Sequence, residues 1–297
     1  MKTANITSFF EQILPAVEET LSHILPPETQ VPTQLHLAMR YSVFAGGKRL
    51  RPALCVAGYS AFRSDWENVL PIAASLELVH TYSLIHDDLP SMDDDDFRRG
   101  MPSCHRKFGE AIAILAGDAL LTLAFETIAR CGRFSPEKIL AACAMVAQAA
   151  GTPTGMIAGQ VLDLEAAGTE VESEHLDLIH RSKSGALIEA SIVLGAHLGE
   201  AGPDARHQIR AYGQHIGLAF QIADDILDET GKGEDLGKTP GKDRDQRKAT
   251  YPLIHGIEES RRMLRELTAK ATESVSRIGE GAGLLMEMAD YVETRSH

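Results

Sequence analysis

Apolar and polar residues follow a helical period along most of the 297-residue chain. Between residues 71 and 88 the apolar positions recur at helical steps, and they are Ile72, Leu76, Val79 and Ile85. Pro71 opens this segment, and proline is favoured in the first turn of a helix. Comparable patterns predict four further helices, over residues 109–130, 136–150, 174–199 and 204–229. No stretch alternates with a two-residue period long enough to build a sheet, so we predict an all-α fold.

Glycine and proline interrupt the helical pattern at three places. Gly46-Gly47 interrupts the first third, a charged loop runs from Asp93 to Pro102, and residues 231–241 contain four Gly and one Pro. The last of these stretches predicts a mobile loop. None has the composition of an interdomain linker, and no short repeat is present. We therefore predict a single domain over residues 1–297.

Composition and charge narrow the classes of function. Hydrophobic residues make up 44% and charged residues 24% of the chain, which is ordinary for a globular protein. The net charge of −13 repels phosphate backbones and argues against a nucleic-acid partner. The four cysteines have no CxxC spacing and are predicted to be free thiols. We find neither a signal-peptide pattern near the N-terminus nor an uncharged stretch long enough to span a membrane, and we expect a cytoplasmic protein.

The stretch QIADDILD contains a compact acidic cluster. Asp224 and Asp228 are four residues apart and share one helix face, and Gln221 lies three residues before Asp224. Carboxylates this close repel each other unless a cation lies between them. A solvated acidic helix end would give the same pattern. The apolar residues that surround Asp225 favour a helix that is partly buried and faces a cavity.

Earlier in the chain, the stretch HDDLPSMDDDDFRRG contains a denser acidic cluster. Asp87 and Asp93 are six residues apart, which does not place them on one face of a regular helix, and Pro90 is the expected break. Arg98 and Arg99 follow directly. A charged loop balanced by its own arginines is one interpretation. The other is a diphosphate site, in which the acids hold Mg²⁺ and the arginines bond the remaining oxygens.

Basic residues near glycines suggest additional anion sites. The stretch GGKRLRP, from Gly46 to Pro52, lacks P-loop spacing and reads either as a basic turn or as a second anion site. Lys238 lies on the Gly/Pro loop, and Lys183-Ser184 interrupts a helical pattern. No Ser/His/Asp or Cys/His nucleophile arrangement and no zinc-type cluster is apparent. The combination favours metal-assisted departure of diphosphate rather than covalent catalysis.

These motifs resemble those of the isoprenyl diphosphate synthases, and in particular of bacterial farnesyl diphosphate synthases. The similarity extends from about Gly46 to Pro252, with five motifs in the same order, and DDLPSMD and DDILD are similar to the two Asp-rich motifs of the family. The resemblance implies a bundle of long antiparallel helices around a central cavity, assembled as a homodimer. It implies isopentenyl diphosphate and allylic diphosphates as substrates. It also implies three Mg²⁺ ions, for which Mn²⁺ can substitute.

The resemblance assigns roles to individual residues. The principal metal ligands would be Asp87, Asp93 and Asp224. Direct ligands, or partners that act through water, would be Asp88, Asp225 and Asp228. The residues that bond the allylic diphosphate would be Arg98, Lys183 and Lys238. Those that hold isopentenyl diphosphate would be Lys48, Arg49, His80 and Arg99. The site of the developing cation would be lined by Gln221 and the Lys183–Ser184 region, and Lys248 would help to order the closing loop.

Product length depends, in this family, on residues four and five positions before the first Asp motif. Here these are Ser83 and Tyr82, and five helical residues span about 7.5 Å. A Tyr ring there would stop a growing chain, which favours a C15 product, with C20 or C10 as alternatives. A Tyr that only packs in the core, with no role in product length, is the other interpretation. A terpene cyclase, an inactive regulatory subunit and a His-Asp hydrolase that uses His86-Asp87 are rival functions. The second DDxxD motif argues against the first two.

Overall fold

The computed structural model describes residues 5–169, 171–230 and 249–294. The helices of the first half are α1 (Ile6–Ile24), α2 (Thr33–Val43), α3 (Leu50–Ser60), α4 (Leu70–Asp87), α5 (Cys104–Phe108), α6 (Glu110–Ala129) and α7 (Pro136–Ala150). Those of the second half are α8 (Met156–Ala166), α9 (Ser173–His180), α10 (Ala186–Leu198), α11 (Pro203–Thr230), α12 (Tyr251–His255), α13 (Ile257–Val275) and α14 (Gly283–Thr294). Short 3₁₀ turns occupy Trp66–Asn68 and Glu280–Ala282.

The all-α prediction is confirmed, with two local differences. The charged loop contains a small hairpin of β1 (Phe97–Arg98) and β2 (Met101–Pro102), two strands of two residues each. Its turn residues, Arg99 and Gly100, both have positive φ (53° and 75°), as a two-residue type I′ turn requires. The predicted helix over residues 174–199 is divided into α9 and α10 by a π-helical turn, Arg181–Gly185. A π turn inserts one residue and so changes which side chains face a neighbouring cavity.

Apolar side chains from nearly every helix form one hydrophobic core that extends from Phe9 to Val292. The pairs α3–α10, α4–α6 and α11–α13 make the most extensive packing contacts, with α10 also against α11. The crossing of α3 and α10 is very close, because a Cβ at Gly195 would lie 1.9 Å from the carbonyl oxygen of Cys55. This packing places α4, α8, the π turn and α11 around one deep cavity.

Helix α6 combines length with an apolar surface. By length and composition alone it could cross a bilayer: its apolar stretch has a mean hydropathy of 1.8, and 33% of that stretch is buried in the structure. Ile114 and Leu115 on this helix are 44% and 52% exposed, and Leu140 on α7 is also exposed. The helix contains Glu110, Asp118 and Glu126, so it does not contradict the expectation that no uncharged stretch is long enough to span a membrane. The four cysteines are free thiols, as predicted.

Candidate active site

A cavity of about 550 Å³ brings together residues from both acidic motifs and from the basic stretch. The acidic residues that line it are Asp87, Asp93, Asp224, Asp225 and Asp228. The predicted basic residues that line it are Lys48, Arg49, His80, Arg98 and Arg99. Lys183, Ser184 and Gln221 lie between the two sets. Motifs as far apart in sequence as Gly47 and Thr250 thus form one site.

Several predicted residues lie elsewhere. Asp88, Tyr82 and Ser83 are not among the residues that line the cavity. Lys238 and Lys248 lie outside the described residues. Three charged residues of the cavity wall were not identified from the sequence: Arg51, Glu77 and Asp163. Of these, Arg51 could have been identified from the same GGKRLRP stretch, whereas Asp163 lies in an ordinary amphipathic helix.

The first acidic motif is shaped by a turn at the end of α4. The helix ends at Asp87, and the backbone N–H of Asp93 donates to the Asp87 carbonyl at 2.9 Å. The N–H of Asp95 donates to the Asp88 carbonyl at 3.1 Å. The chain thus folds back on the helix end. Asp93 returns to the neighbourhood of Asp87 although the two are six residues apart.

Asp88 points away from the cavity into the protein. It is 2% exposed, and Nε of Arg98 donates to its Oδ1 at 2.9 Å. Arg98 also lies 3.4 Å from Oδ2 of Asp95. Burial raises the pKa of Asp88 to about 6, against the opposing effect of Arg98. Arg98 therefore lines the cavity, but its guanidinium already contacts two carboxylates of the acidic loop.

Lys183 connects the two halves of the site. Its Nζ lies 2.7 Å from Oδ2 of Asp163 and 3.5 Å from Oδ2 of Asp87. Burial lowers the pKa of Lys183, but the charges of these two carboxylates prevail and raise it to about 12. The π turn lies against α8 because Gly159 has no side chain, since a Cβ there would be 2.1 Å from the Lys183 backbone nitrogen. Lys183 is therefore a fully charged cation beside the first acidic motif.

The basic wall contains an arginine, Arg49, that is held by three protein groups. Arg49 donates through Nε to Glu18 at 2.6 Å, through Nη1 to Glu77 at 2.8 Å and through Nη2 to the Val43 carbonyl at 2.6 Å. Its φ of 47° lies in the left-handed region. The assignment of Arg49 to a diphosphate is not tested by these contacts. They show that every nitrogen of its guanidinium already has a protein partner.

Arg51 differs from Arg49 in having unused hydrogen-bonding capacity. Its buried Nε has no hydrogen-bond partner among the described residues, and burial lowers its pKa to about 10. Arg99 lies close to Arg51, donates to the Gly46 carbonyl and lies 4.0 Å from Glu77. Burial, and then Arg51 and Arg99, lower the pKa of His80 well below 6.5, so its imidazole is neutral at pH 7. An anion bound here would meet two arginines and a neutral imidazole.

The acidic walls have the right chemistry for Mg²⁺, which prefers carboxylate oxygens. Within the described ranges, no three Asp, Glu, His or Cys side chains converge as a complete metal site. The donor set therefore fits Mg²⁺ on condition that a bound diphosphate and water supply the remaining ligands. Carboxylates on two walls with Lys183 between them are suited to holding a metal–diphosphate complex and stabilising it as it leaves.

Comparisons with known proteins agree with this geometry. The sequence pattern of the Polyprenyl synthetase family matches residues 32–283. The chain is 44% identical over 273 residues to the heterodimeric geranylgeranyl pyrophosphate synthase large subunit 1 of Arabidopsis thaliana, covering 90% of this chain and 73% of that protein. A crystal structure of an FPP/GFPP synthase from Zymomonas mobilis superposes with a TM-score of 0.86 at 35% identity, over 97% of this chain and 99% of that one. A geranyltransferase of Helicobacter pylori, solved with magnesium and isoprenyl diphosphate, gives 0.83 at 31% identity, over 96% of each chain.

The fold and the site define a prenyltransferase, an enzyme that transfers isoprenoid units. The chain belongs to the polyprenyl synthetase family, whose members elongate prenyl chains from isopentenyl diphosphate and an allylic diphosphate.

Proposed function

We propose that this enzyme condenses isopentenyl diphosphate with dimethylallyl and then geranyl diphosphate to give farnesyl diphosphate, with Mg²⁺ as the metal. The observation that carries the proposal is that two Asp motifs, Lys183 and a separate basic wall line one cavity. One anion site with carboxylates suits a metal-bound allylic diphosphate. The basic wall has Glu77 as its acidic residue and is a second anion site, which suits the diphosphate that is not cleaved.

The metal would be held by Asp87 and Asp93 on one wall and by Asp224 and Asp228 on the other. When bound, Mg²⁺ would neutralise the charge that develops on the departing diphosphate. Lys183 lies 3.5 Å from Asp87 and would donate to the same diphosphate. The Helicobacter pylori relative, solved with magnesium and isoprenyl diphosphate, supports this choice of metal.

The residues between the two anion sites would manage the allylic cation. Gln221 and Ser184 line the cavity and present neutral oxygen dipoles, which stabilise positive charge without reacting with it. The isopentenyl double bond attacks C1 of the cation, the new C–C bond forms, and a proton is lost to the released diphosphate. An enclosed site also excludes water, which would otherwise quench the cation.

We propose Lys48, Arg51, His80 and Arg99 as the site of isopentenyl diphosphate. Arg49 would instead hold Glu77 and Glu18 in place. Arg51→Ala should raise KM for isopentenyl diphosphate by roughly 10- to 100-fold, since a charge-assisted hydrogen bond contributes about 1.5–3 kcal/mol. Arg49→Ala should chiefly destabilise the fold. Steady-state kinetics and thermal unfolding of both variants test the distinction, and a selective KM effect in a stable Arg49→Ala protein would restore the original assignment.

The C15 product rests on Tyr82, and C20 is the second candidate. Tyr82 is buried with no hydrogen-bond partner for its hydroxyl among the described residues, and its ring lies 5.8 Å from that of His86. Tyr82 does not itself line the cavity of about 550 Å³, so a blocking role requires that the growing chain extend beyond that cavity as far as its ring. Relatives named geranylgeranyl pyrophosphate synthases favour C20 instead. Chromatography of the products decides, and Tyr82→Ala should shift a C15 product towards C20 or longer. An unchanged C15 profile in the folded variant would place the floor elsewhere.

We also propose that the enzyme is a homodimer in the cytoplasm. The dimer is supported by the exposed apolar surface of α6 and α7, where Ile114, Leu115 and Leu140 face outward in the single chain. Surfaces of this kind are typical of subunit interfaces. Sedimentation equilibrium should give twice the mass of one chain. Leu115→Glu should shift the enzyme towards the monomer, and an unchanged mass in that variant would exclude this surface.

A further inference from the structure

A cluster of four buried or half-buried side chains lies beside the second Asp motif. We define the Tyr251 cluster as Asp177, His180, Asp225 and Tyr251. The Tyr251 side chain is fully buried, and its hydroxyl donates to Asp177. Its ring stacks on that of His180, with centroids 5.4 Å apart and an interplanar angle of 20°. Its backbone N–H donates to Oδ2 of Asp225 at 3.0 Å, and Nε2 of His180 lies 3.3 Å from the same oxygen.

The Tyr251 cluster joins three segments that carry the walls of the cavity. Asp177 and His180 lie on α9, directly before the π turn that presents Lys183. Asp225 lies on α11 between Asp224 and the Asp228 position. Tyr251 begins α12, where the chain has just contributed Ala249 and Thr250 to the cavity wall. A single carboxylate oxygen of Asp225 is thus the meeting point of α9, α11 and α12.

Asp225 is suited to set the rotation of α11. Successive residues on a helix point about 100° apart, so Asp224 faces the cavity squarely only when Asp225 is turned towards α9 and α12. Asp225 is 6% exposed and accepts a hydrogen bond from the backbone N–H of Tyr251, while Nε2 of the half-buried His180 lies 3.3 Å away without making a hydrogen bond. Tyr251 meets a carboxylate at each end, one through its side chain and one through its main chain. Here the hydroxyl binds Asp177 and the backbone N–H binds Asp225.

We propose that Tyr251, supported by Asp177 and His180, is a positioning residue for the second Asp motif. It orients Asp224 and Asp228 towards the metal–diphosphate complex without touching that complex. The proposal rests on the proposed function, because it assumes that these aspartates bind the metal. Loss of groups that orient metal ligands typically weakens metal affinity by about 10- to 100-fold.

The chain offers a matched control in Tyr212. Tyr212 is also fully buried and also donates one hydrogen bond through its hydroxyl, to the Leu285 carbonyl at 2.7 Å. It lies twelve residues before Asp224 on the same helix, about 18 Å along the axis. Tyr251→Phe and Tyr212→Phe therefore each delete one buried hydroxyl. Only the first deletion affects the Tyr251 cluster.

The experiment measures Mg²⁺ binding to the full-length protein by isothermal titration calorimetry at a fixed concentration of inorganic pyrophosphate. We expect the half-saturating Mg²⁺ concentration to rise about tenfold or more in Tyr251→Phe and to stay within about twofold of the wild type in Tyr212→Phe. Asp177→Ala, which leaves both buried rings in place, should behave like Tyr251→Phe. Asp177→Asn keeps an acceptor for the hydroxyl and should recover most of the affinity.

The outcomes separate this proposal from the function on which it rests. Equal Mg²⁺ titrations for Tyr251→Phe and Tyr212→Phe, with a wild type that binds, would overturn the positioning role alone. A wild type that shows no metal-dependent pyrophosphate binding would overturn the metal site and the positioning role together. A rise in Tyr251→Phe and Asp177→Ala that Asp177→Asn reverses would support the positioning role, because a general loss of stability would not depend on the acceptor.

Discussion

The two Asp motifs form two walls of one cavity, but they are built in different ways. In the first, α4 ends at Asp87 and the chain folds back so that a backbone hydrogen bond of 2.9 Å returns Asp93 to it. In the second, all the acids lie on the continuous helix α11. In both, the second residue of the Asp pair is the inward, buried one: Asp88 is 2% and Asp225 is 6% exposed, and of these two only Asp225 still contributes to the cavity wall.

The inward aspartates differ in what holds them. Asp88 is bound by Arg98 from the same loop, so the first motif contains its own counter-charge. Asp225 accepts a hydrogen bond from the backbone of Tyr251 and lies 3.3 Å from His180, and both of these residues come from other segments. The first motif is therefore a local structure, whereas the second depends on the tertiary fold. In each DD pair of this chain the first aspartate is half-buried, whereas the second is buried and bound by protein groups.

Removal of the metal should have the largest effect, because both walls would lose their common partner. We expect activity to disappear in excess EDTA and to return when Mg²⁺ or Mn²⁺ is added. Release of pyrophosphate from dimethylallyl and isopentenyl diphosphates measures it. Full turnover in the presence of chelator would remove the reason for comparing the motifs as metal sites.

The outward aspartates should matter for turnover and little for folding. Asp87→Ala and Asp224→Ala should each lower kcat by about 10²–10³, as is typical when one well-placed electrostatic group is lost. Asp204→Ala, which removes an exposed acid from the first turn of α11, is the control and should retain activity. Circular dichroism confirms folding. Near-normal rates in either folded variant would mean that Asp87 and Asp224 do not play the same role on the two walls.

The inward aspartates should contribute more to the stability of the fold than the outward ones do, and by different amounts. Asp88→Ala removes the nearest carboxylate partner of the half-buried Arg98, leaving the more distant Asp95 and Asp87, and should lower the free energy of unfolding by about 3 kcal/mol. Asp225→Ala leaves a buried backbone N–H without its acceptor and should lower it by about 2 kcal/mol. Urea unfolding measures both. A larger loss for Asp225 would mean that the second motif contributes more to the fold than its contacts indicate.

The smallest effect concerns the backbone of the first motif. Asp94 has a φ of 50°, a left-handed conformation that β-branched residues resist. Asp94→Val should therefore lower the free energy of unfolding by about 1–2 kcal/mol. Asp118→Val, which makes the same substitution on the exposed face of helix α6, should change it by no more than about 0.5 kcal/mol. Equal effects of the two substitutions would show that the turn is not strained and that the contrast between loop and helix is smaller than the backbone suggests.

Much of the fold and of the cavity could be predicted from the sequence. Helical periodicity is a local property, so the helices that became α4, α6, α7 and α11 were predicted to within a residue or two. The i and i+4 spacing of Asp224 and Asp228 required a shared face in any helix. Pro90 and the six-residue separation of Asp87 and Asp93 required a break at the end of α4. These features needed no knowledge of the rest of the chain.

The tertiary structure decided which charged residues have partners. In GGKRLRP both arginines look alike, but Glu18 and Glu77 occupy Arg49 and leave Nε of Arg51 without a partner among the described residues. Those glutamates come from α1 and α4, so no local pattern could distinguish the two. The same holds for Asp163, which binds Lys183 across twenty residues, and for Tyr251, which meets Asp225 across twenty-six. Residue type and spacing determine the chemistry that is available, whereas only packing determines which groups are already satisfied and which remain for a ligand.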